Sequence, residues 1–468
     1  MPRRDAPGTP GGVSFAVEPT PAWVCRGESF QRRKSLRKGF EVHAWALYDF
    51  ANTIYAVNMY TLYFALWVTK DMGAPDIAYS TAVSLALLAV AIASPAFGAY
   101  SDRLGKRTRF VALFTILSCA CTASLPILIP LFGKAALIPA LVLFALSSFG
   151  YNLAQVFYNA QLPELVSKDK IGWLSGYGTG IGYLGSFFGI LCVMPFVTGK
   201  LLGLHTPFPA GGNVGAFVPT AVLFMLCALP HHLLVKDHGT PRVDSTARRA
   251  WAQLWETAKA ARQVPGMVRY LVANLLFFDA LNTVIGFMAI YAVRVVGFNE
   301  QKQEVQLVLL LSTLFAALGA VGWGKVVDRF GSKRALQWNL AWWALALVAI
   351  IFVRDKAVFS WALAPAIGIA MGGTWTASRA LLSALAPEDR QAEFFGLYSL
   401  AGKFAAIVGP MTWGFITYAF AAMPIAKYQL AIAAQLVFVV VGALLLVKVP
   451  RPEDAFAALP STRAGTRV

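Results

Sequence analysis

Four charged residues stand inside stretches that are otherwise apolar over the length of a membrane-spanning helix: Asp49, Asp279, Arg379 and Lys403. A charge on a central helix costs at least ~2.5–3.5 kcal/mol on insertion scales, so such residues face a partner or a wet cavity. Two acids and two bases allow two kinds of chemistry. They can pair as salt bridges that hold parts of the molecule together, or they can bind the ends of a solute and carry a proton. Both roles coexist where pairs break and reform. Asp279 and Lys403 lie about eleven residues inside their segments, roughly 16 Å deep at 1.5 Å per residue and so near the midplane; Asp49 and Arg379 are shallower. Asp279 is therefore expected as the proton-coupling carboxylate, with Asp49 as a second candidate. Arg379 is expected to hold the anionic end of a solute, because its planar fork matches a carboxylate in two hydrogen bonds; Lys403 would supply a second positive group.

Polar neutral residues could complete such a site. Asn152, Gln155 and Asn159 recur at i, i+3 and i+7, one polar stripe on an apolar helix, and Asn52 and Asn282 each follow an aspartate by three residues. The stripe reads equally as helix–helix hydrogen bonding. No nucleophile elbow, metal cage or ATP-binding loop is present. Gly178, Gly180 and Tyr183 fall short of a dinucleotide fingerprint, which needs a further glycine and a preceding strand. The five cysteines lack pairing or metal spacing, and His231 and His232 read as membrane-interface residues. Neither enzyme chemistry nor a cofactor is expected, and any energy input would have to come from a gradient.

The elements that must position these residues are membrane helices. Of 468 residues, 57% are hydrophobic and only 13% charged, and the mean hydropathy is +0.60; soluble domains carry roughly 25% charged residues. The net charge of +17 is scattered between apolar runs rather than gathered on a separable domain, which argues against nucleic acid and for orientation in a bilayer. Twelve apolar segments run approximately 43–68, 79–100, 109–131, 136–160, 173–197, 214–235, 267–293, 304–326, 335–353, 358–385, 393–421 and 428–449. Most reach the ~20 residues that span a hydrocarbon core as helix. With the amino terminus inside, cytosolic segments hold 29 Lys and Arg and outer loops 8. Both termini are therefore expected in the cytosol, at a bacterial inner membrane.

The chain is internally duplicated. Gly98, Asp102, Arg103, Gly105 and Arg107 form a short basic turn between two apolar runs, and Gly324, Asp328, Arg329, Gly331 and Arg334 repeat it with the aspartates 226 residues apart. An aromatic-Asp-x-x-Asn pattern at Tyr48 to Asn52 returns at Phe278 to Asn282, and Pro163-Glu164 returns as Pro387-Glu388. Such near-constant offsets mark two matching six-helix halves. The division is a disordered tail over 1–40, a first half over 41–235, a cytosolic linker over 236–266, a second half over 267–450 and a tail over 451–468. Within the linker, Trp251, Leu254, Trp255 and Ala258 share one helical face, as in an amphipathic helix lying on the inner leaflet; a calmodulin-type target has the same pattern. Gly176, Gly178, Gly180, Gly182, Gly185 and Gly189 in the fifth segment offer small surfaces for close helix approach.

The repeated turn resembles the signature loop of the major facilitator superfamily. A closer likeness covers nearly the whole chain after residue 40. Trp45 to Asn52, the glycine-rich run Leu174 to Gly185, Ser378-Arg379, Glu393 with Gly396 and Tyr398, and Gly402 to Pro410 resemble the vacuolar amino-acid effluxers and their bacterial "unknown major facilitator" relatives. The resemblance implies an all-α membrane protein of twelve transmembrane helices in two six-helix pseudo-repeats around a central cavity. It also implies a secondary transporter of small solutes, amino acids or similar zwitterions, working by alternating access. Protons and the lipid bilayer are the expected partners, and nucleic acid is not. An exporter of metal ions or drugs and a non-transporting sensor or scaffold are the alternatives. Asp102, Arg103, Arg107, Asp328, Arg329 and Arg334 are expected to gate the cycle without touching solute, since a carboxylate at a helix end beside basic residues can gain and lose partners as the halves move.

Overall fold

The computed structural model describes residues 22–166, 171–237, 246–299, 303–387 and 391–451. It is almost wholly helical. The first half holds α1 (Ala22–Tyr55, continued by wider turns to Asp71), α2 (Asp76–Leu104), α3 (Arg107–Phe132), α4 (Leu137–Ala160), α5 (Ile171–Thr198) and α6 (Phe217–Leu234). A short hairpin, β1 (Lys200–Leu201) against β2 (Leu204–His205), joins α5 to α6. The connecting helix α7 (Ala247–Ala261) follows, and the second half holds α8 (Met267–Tyr291), α9 (Glu304–Phe330), α10 (Ser332–Phe352), α11 (Ala364–Leu385), α12 (Gln391–Ala419) and α13 (Ala426–Val447). Among the described residues nine helical runs are long and apolar enough to cross a membrane, and one of them, Arg107–Ala160, contains both α3 and α4. They account for ten of the twelve expected segments. The remaining two, in α1 and α12, are helices packed among the others.

Helix pairing follows the duplication. The contacts α1–α5, α1–α6, α2–α4, α3–α4 and α3–α6 have counterparts in α8–α12, α8–α13, α9–α11, α10–α11 and α10–α13. The halves meet along α2 against α12, α5 against α9 and, over a shorter stretch, α8 against the continuation of α1. Backbone approach in the α1–α5 contact is close enough to require glycine. A Cβ on Gly185 would lie 2.2 Å from the Phe50 carbonyl oxygen, and one on Gly189 would lie 3.1 Å from the Ile54 Cα. Gly176 and Gly180, on the other face of α5, meet nothing within 4 Å. Only the part of the glycine run that turns toward α1 is a packing surface.

Two expectations shift. Helix α1 begins at Ala22, inside the stretch expected as a disordered tail, because the run from Arg26 to Ala46 is rich in Arg, Lys, Glu, Gln and Leu, residues that lose little freedom in a helix; residues 1–21 lie outside the described set. His231 is fully buried and faces protein rather than the headgroups, because Gln161 accepts from its Nε2 and the Tyr48 and Tyr158 rings lie against it. Helix α7 starts on Thr246, whose Oγ1 accepts from the Arg249 N–H at 3.3 Å. It rests against α2 and α12 with Trp251 and Trp255 exposed.

Candidate functional site

At the first basic turn the chain reverses through Gly105, whose φ of 61° suits a residue without Cβ. Arg107 then reaches three partners at once. Its Nη2 donates to Asp102 Oδ1 at 2.7 Å and its Nη1 to Glu164 Oε1 at 2.7 Å, with a further bond to the Ala160 carbonyl. The end of α2, the start of α3 and the end of α4 are thereby fastened together. Beside it, Asp237 beyond α6 accepts from the Thr108 N–H at 2.7 Å and its Oγ1 at 2.9 Å, which caps α3. Gln161 donates to the same hydroxyl at 2.9 Å and accepts from His231 Nε2 at 2.9 Å. Arg103 is exposed.

The repeat of this turn is built more loosely. It reverses through Gly331 at φ 84°, and Asp328, Arg329 and Arg334 are exposed. Arg329 lies over the Phe330 ring, 5.3 Å from its centre. Glu388, the counterpart of Glu164, lies outside the described residues.

Deeper in the molecule, Asp49 on α1 turns toward α5. Its Oδ2 sits 3.0 Å from where a Cβ of residue 178 would be, so Gly178 makes room for the carboxylate. Asn52 shares this surface, donating to Asp49 Oδ1 at 3.4 Å and accepting from Gln155 Nε2 on α4 at 2.8 Å. Arg379 arrives from the other half. Its Nη1 donates to Thr179 Oγ1 on α5 at 2.9 Å, beside Gly178, and its guanidinium is within electrostatic reach of Asp49. Asp49, Asn52, Gln155 and Arg379 therefore form one cluster across the interface between halves.

Asp279 is placed elsewhere. Its side chain is 1% exposed and accepts from the Gly409 N–H of α12 at 2.8 Å, inside the second half. The Lys403 side chain lies outside the described residues; its backbone is six residues before Gly409 on α12. Asn152 is buried and donates to the Tyr60 hydroxyl at 2.8 Å and the Ser148 carbonyl at 2.9 Å. Asn159 is exposed at the last turn of α4 and Asn282 is exposed in the middle of α8. An amide facing hydrocarbon is costly, so Asn282 marks surface that water reaches.

With the arrangement in view, known proteins can be set beside it. Residues 171–455 match the family model described as vacuole effluxer Atg22 like, and residues 10–190 match the major facilitator superfamily model. The chain belongs to the vacuole effluxer Atg22-like family. It is 25% identical to an uncharacterized MFS-type transporter, YxiO, of Bacillus subtilis, over 87% of this chain and 94% of that one. Autophagy-related protein 22-1 of Neosartorya fischeri is 26% identical over 61% of this chain and 49% of its own length. Among solved structures, a bacterial homologue of the human lysosomal transporter Spinster superposes with a TM-score of 0.67 at 14% identity, covering 90% of this chain and 98% of that one. The nucleoside transporter NupG does so with 0.61 at 14% identity, covering 87% and 98%. This is the major facilitator fold, and the protein is a multi-pass membrane transporter, not an enzyme.

The Atg22-like chain also holds functional candidates that sequence reasoning passed over. At the end opposite the basic turns, Asp76 at the start of α2 is buried and accepts from Trp413 Nε1 of α12 at 3.1 Å. Arg294 of the second half donates to the Thr69 carbonyl of the first at 2.7 Å. Gln303 reaches Thr198 Oγ1 and the Lys200 carbonyl, each at 2.7 Å. Together these bonds close that end across the halves. An acid in the first turn of a helix ordinarily reads as favourable to the helix dipole, which is why Asp76 drew no notice. The duplication also runs one residue further than the aspartate and asparagine. Thr53 and Thr283 each donate to the carbonyl of the aspartate four residues earlier, at 3.1 and 2.7 Å.

Proposed function

We propose that this transporter moves small zwitterionic solutes, amino acids or close analogues, by rocking its two halves about a site between α1, α4, α5 and α11. The observation that carries the reading is Arg379: a fixed positive charge on one half that donates to Thr179 of the other, with the Asp49 carboxylate close by. A solute carboxylate would take the guanidinium in two bonds while its ammonium group meets Asp49, so that binding exchanges partners instead of stranding a charge. Asn52 and Gln155, already bonded to one another, would orient the solute. The family's description as an effluxer supports export as the direction.

Asp279 is the proton-coupling group in this reading. Its carboxylate accepts from the Gly409 N–H, next to Pro410, and protonation would weaken that charge-assisted bond and loosen α8 from α12. The basic turns and both termini face the cytosol of a bacterial cell, as the distribution of Lys and Arg supports. Counterflow in proteoliposomes with a panel of labelled amino acids tests the substrate class: uptake of at least one neutral amino acid, abolished in Arg379→Gln, is expected. Uptake of metal ions or cationic drugs alone would overturn it. A Cys placed at 106 or 333 should stay unlabelled by an impermeant reagent in intact cells; labelling would reverse the orientation.

A further inference from the structure

A crevice of about 590 Å³ opens on the seam between α5 and α9, at the end of the molecule away from the basic turns. Its volume lies in the range of small-molecule sites, and its walls are apolar over most of their extent. Phe187 of α5 forms one side, and Leu311 and Leu314 of α9 with Trp361 ahead of α11 form the other. All are apolar. Ser360 is the one neutral polar residue of the lining, and charge gathers at the mouth, where Lys356 Nζ meets Glu304 Oε2 at 2.8 Å, with side chains 45% and 29% exposed. Lys356 also lies over the Phe298 ring, 5.5 Å from its centre.

These residues are ordered by depth. Glu304 opens α9, and Leu314 is ten residues further along, roughly 15 Å deeper and near mid-bilayer. Trp361 is 76% exposed, as an indole at the level of the headgroups is. An opposite-charge pair at headgroup depth above an apolar slot that ends near the midplane has the shape and polarity of a phospholipid. We propose that the crevice is a binding site for one zwitterionic phospholipid of the outer leaflet. Its acyl chain would fill the slot between Phe187 and Leu314, its phosphate would take Lys356 and its amine Glu304. The charged pair then exchanges partners with a headgroup of the same two charges, whereas an anionic headgroup would leave Glu304 facing like charge. Because Phe187 belongs to one half and the opposite wall to the other, rocking changes the width of the slot. The lipid consequently binds the two states unequally and biases the equilibrium between them by that difference.

Native mass spectrometry of the full-length protein released from detergent tests this, with phosphatidylethanolamine and phosphatidylglycerol added in competition. Wild type should retain one phosphatidylethanolamine in preference to phosphatidylglycerol. Leu311→Trp and Ala357→Phe, which fill the slot from α9 and from the segment ahead of α11, should lose it while keeping the wild-type elution volume and melting temperature; two variants guard against one that misfolds. Glu304→Gln with Lys356→Gln should keep a bound lipid but lose the headgroup preference by roughly two- to fivefold, the scale of a half-exposed ion pair. A wild type with no retained phospholipid, one holding detergent without preference, or filled variants with unchanged retention would each overturn the proposal.

Discussion

The same motif does different work in the two halves. Asp49 and Asp279 occupy corresponding places on α1 and α8, each with a threonine four residues on and each turned toward a glycine of the helix opposite, Gly178 of α5 or Gly409 of α12. Asp49 has been drawn into an interface with charge from the other half, beside Asn52 and Gln155. Asp279 has been sealed within its own half on a backbone N–H. The basic turns diverge likewise: Arg107 fastens three helix ends, whereas Asp328 and Arg334 stay exposed. Duplication supplied two equivalent acids, and their surroundings separated them, one at the interface between the halves and one buried within its own half. At position 155 and its counterpart 379 the separation is complete, with a neutral amide on one side and a guanidinium on the other.

Substitutions can break that comparison. The largest effect is expected from Asp279→Asn, which should leave counterflow intact yet abolish accumulation against a gradient; uphill uptake at the wild-type level would return the coupling role to Asp49. Arg379→Lys should fold and insert but lose affinity for carboxylate-bearing solutes by roughly 10- to 150-fold, about 1.5–3 kcal/mol for a hydrogen bond to a charged group. Equilibrium binding on the purified protein reads this directly. The two glycines should part in stability. A Cβ at 409 would sit 2.1 Å from Thr283 Oγ1 and 2.7 Å from Asp279 Oδ1, whereas one at 178 meets side-chain atoms at 3.0 Å. Gly409→Ala should therefore lose about 1–3 kcal/mol, the scale of overpacking, and Gly178→Ala less, as melting in detergent would show. Smallest of all, Asp102→Asn should slow exchange by no more than about fivefold, in line with a partly exposed pair, and Asp328→Asn by less. Equal slowing in both would mean that the exposed turn engages partners during the cycle.

Much of the fold was legible because membrane helices declare themselves locally. Apolar length, cation asymmetry and the repeated Gly-Asp-Arg-Gly turn need no knowledge of what touches what. The intramembrane charges were legible for the same reason, since each is expensive where it stands. Their partners were not. Arg379 meets Thr179 across 200 residues of chain and Asp279 meets Gly409 across 130, and nothing in the spacing of either pair marks it. Sequence depth suggested Lys403 as the neighbour of Asp279; the partner seen among the described residues is a glycine amide, and the Lys403 side chain lies outside them. The glycine run of α5 likewise marked the right helix, and four of its six glycines pack against α1 while Gly176 and Gly180 meet nothing within 4 Å. Asp76 was hidden by its place at a helix start, where an acid has an ordinary explanation.

The central claim is that Arg379 holds the solute and Asp49 stands in when the site is empty. Equilibrium solute affinity and melting temperature of purified Arg379→Gln, Asp49→Asn and the double variant test it most directly. The account predicts that the double variant regains the melting temperature of wild type but not its affinity, because the anchor is gone while no charge is left unpaired. Recovery of wild-type affinity in the double variant would show that the two residues serve only each other, and would contradict the account.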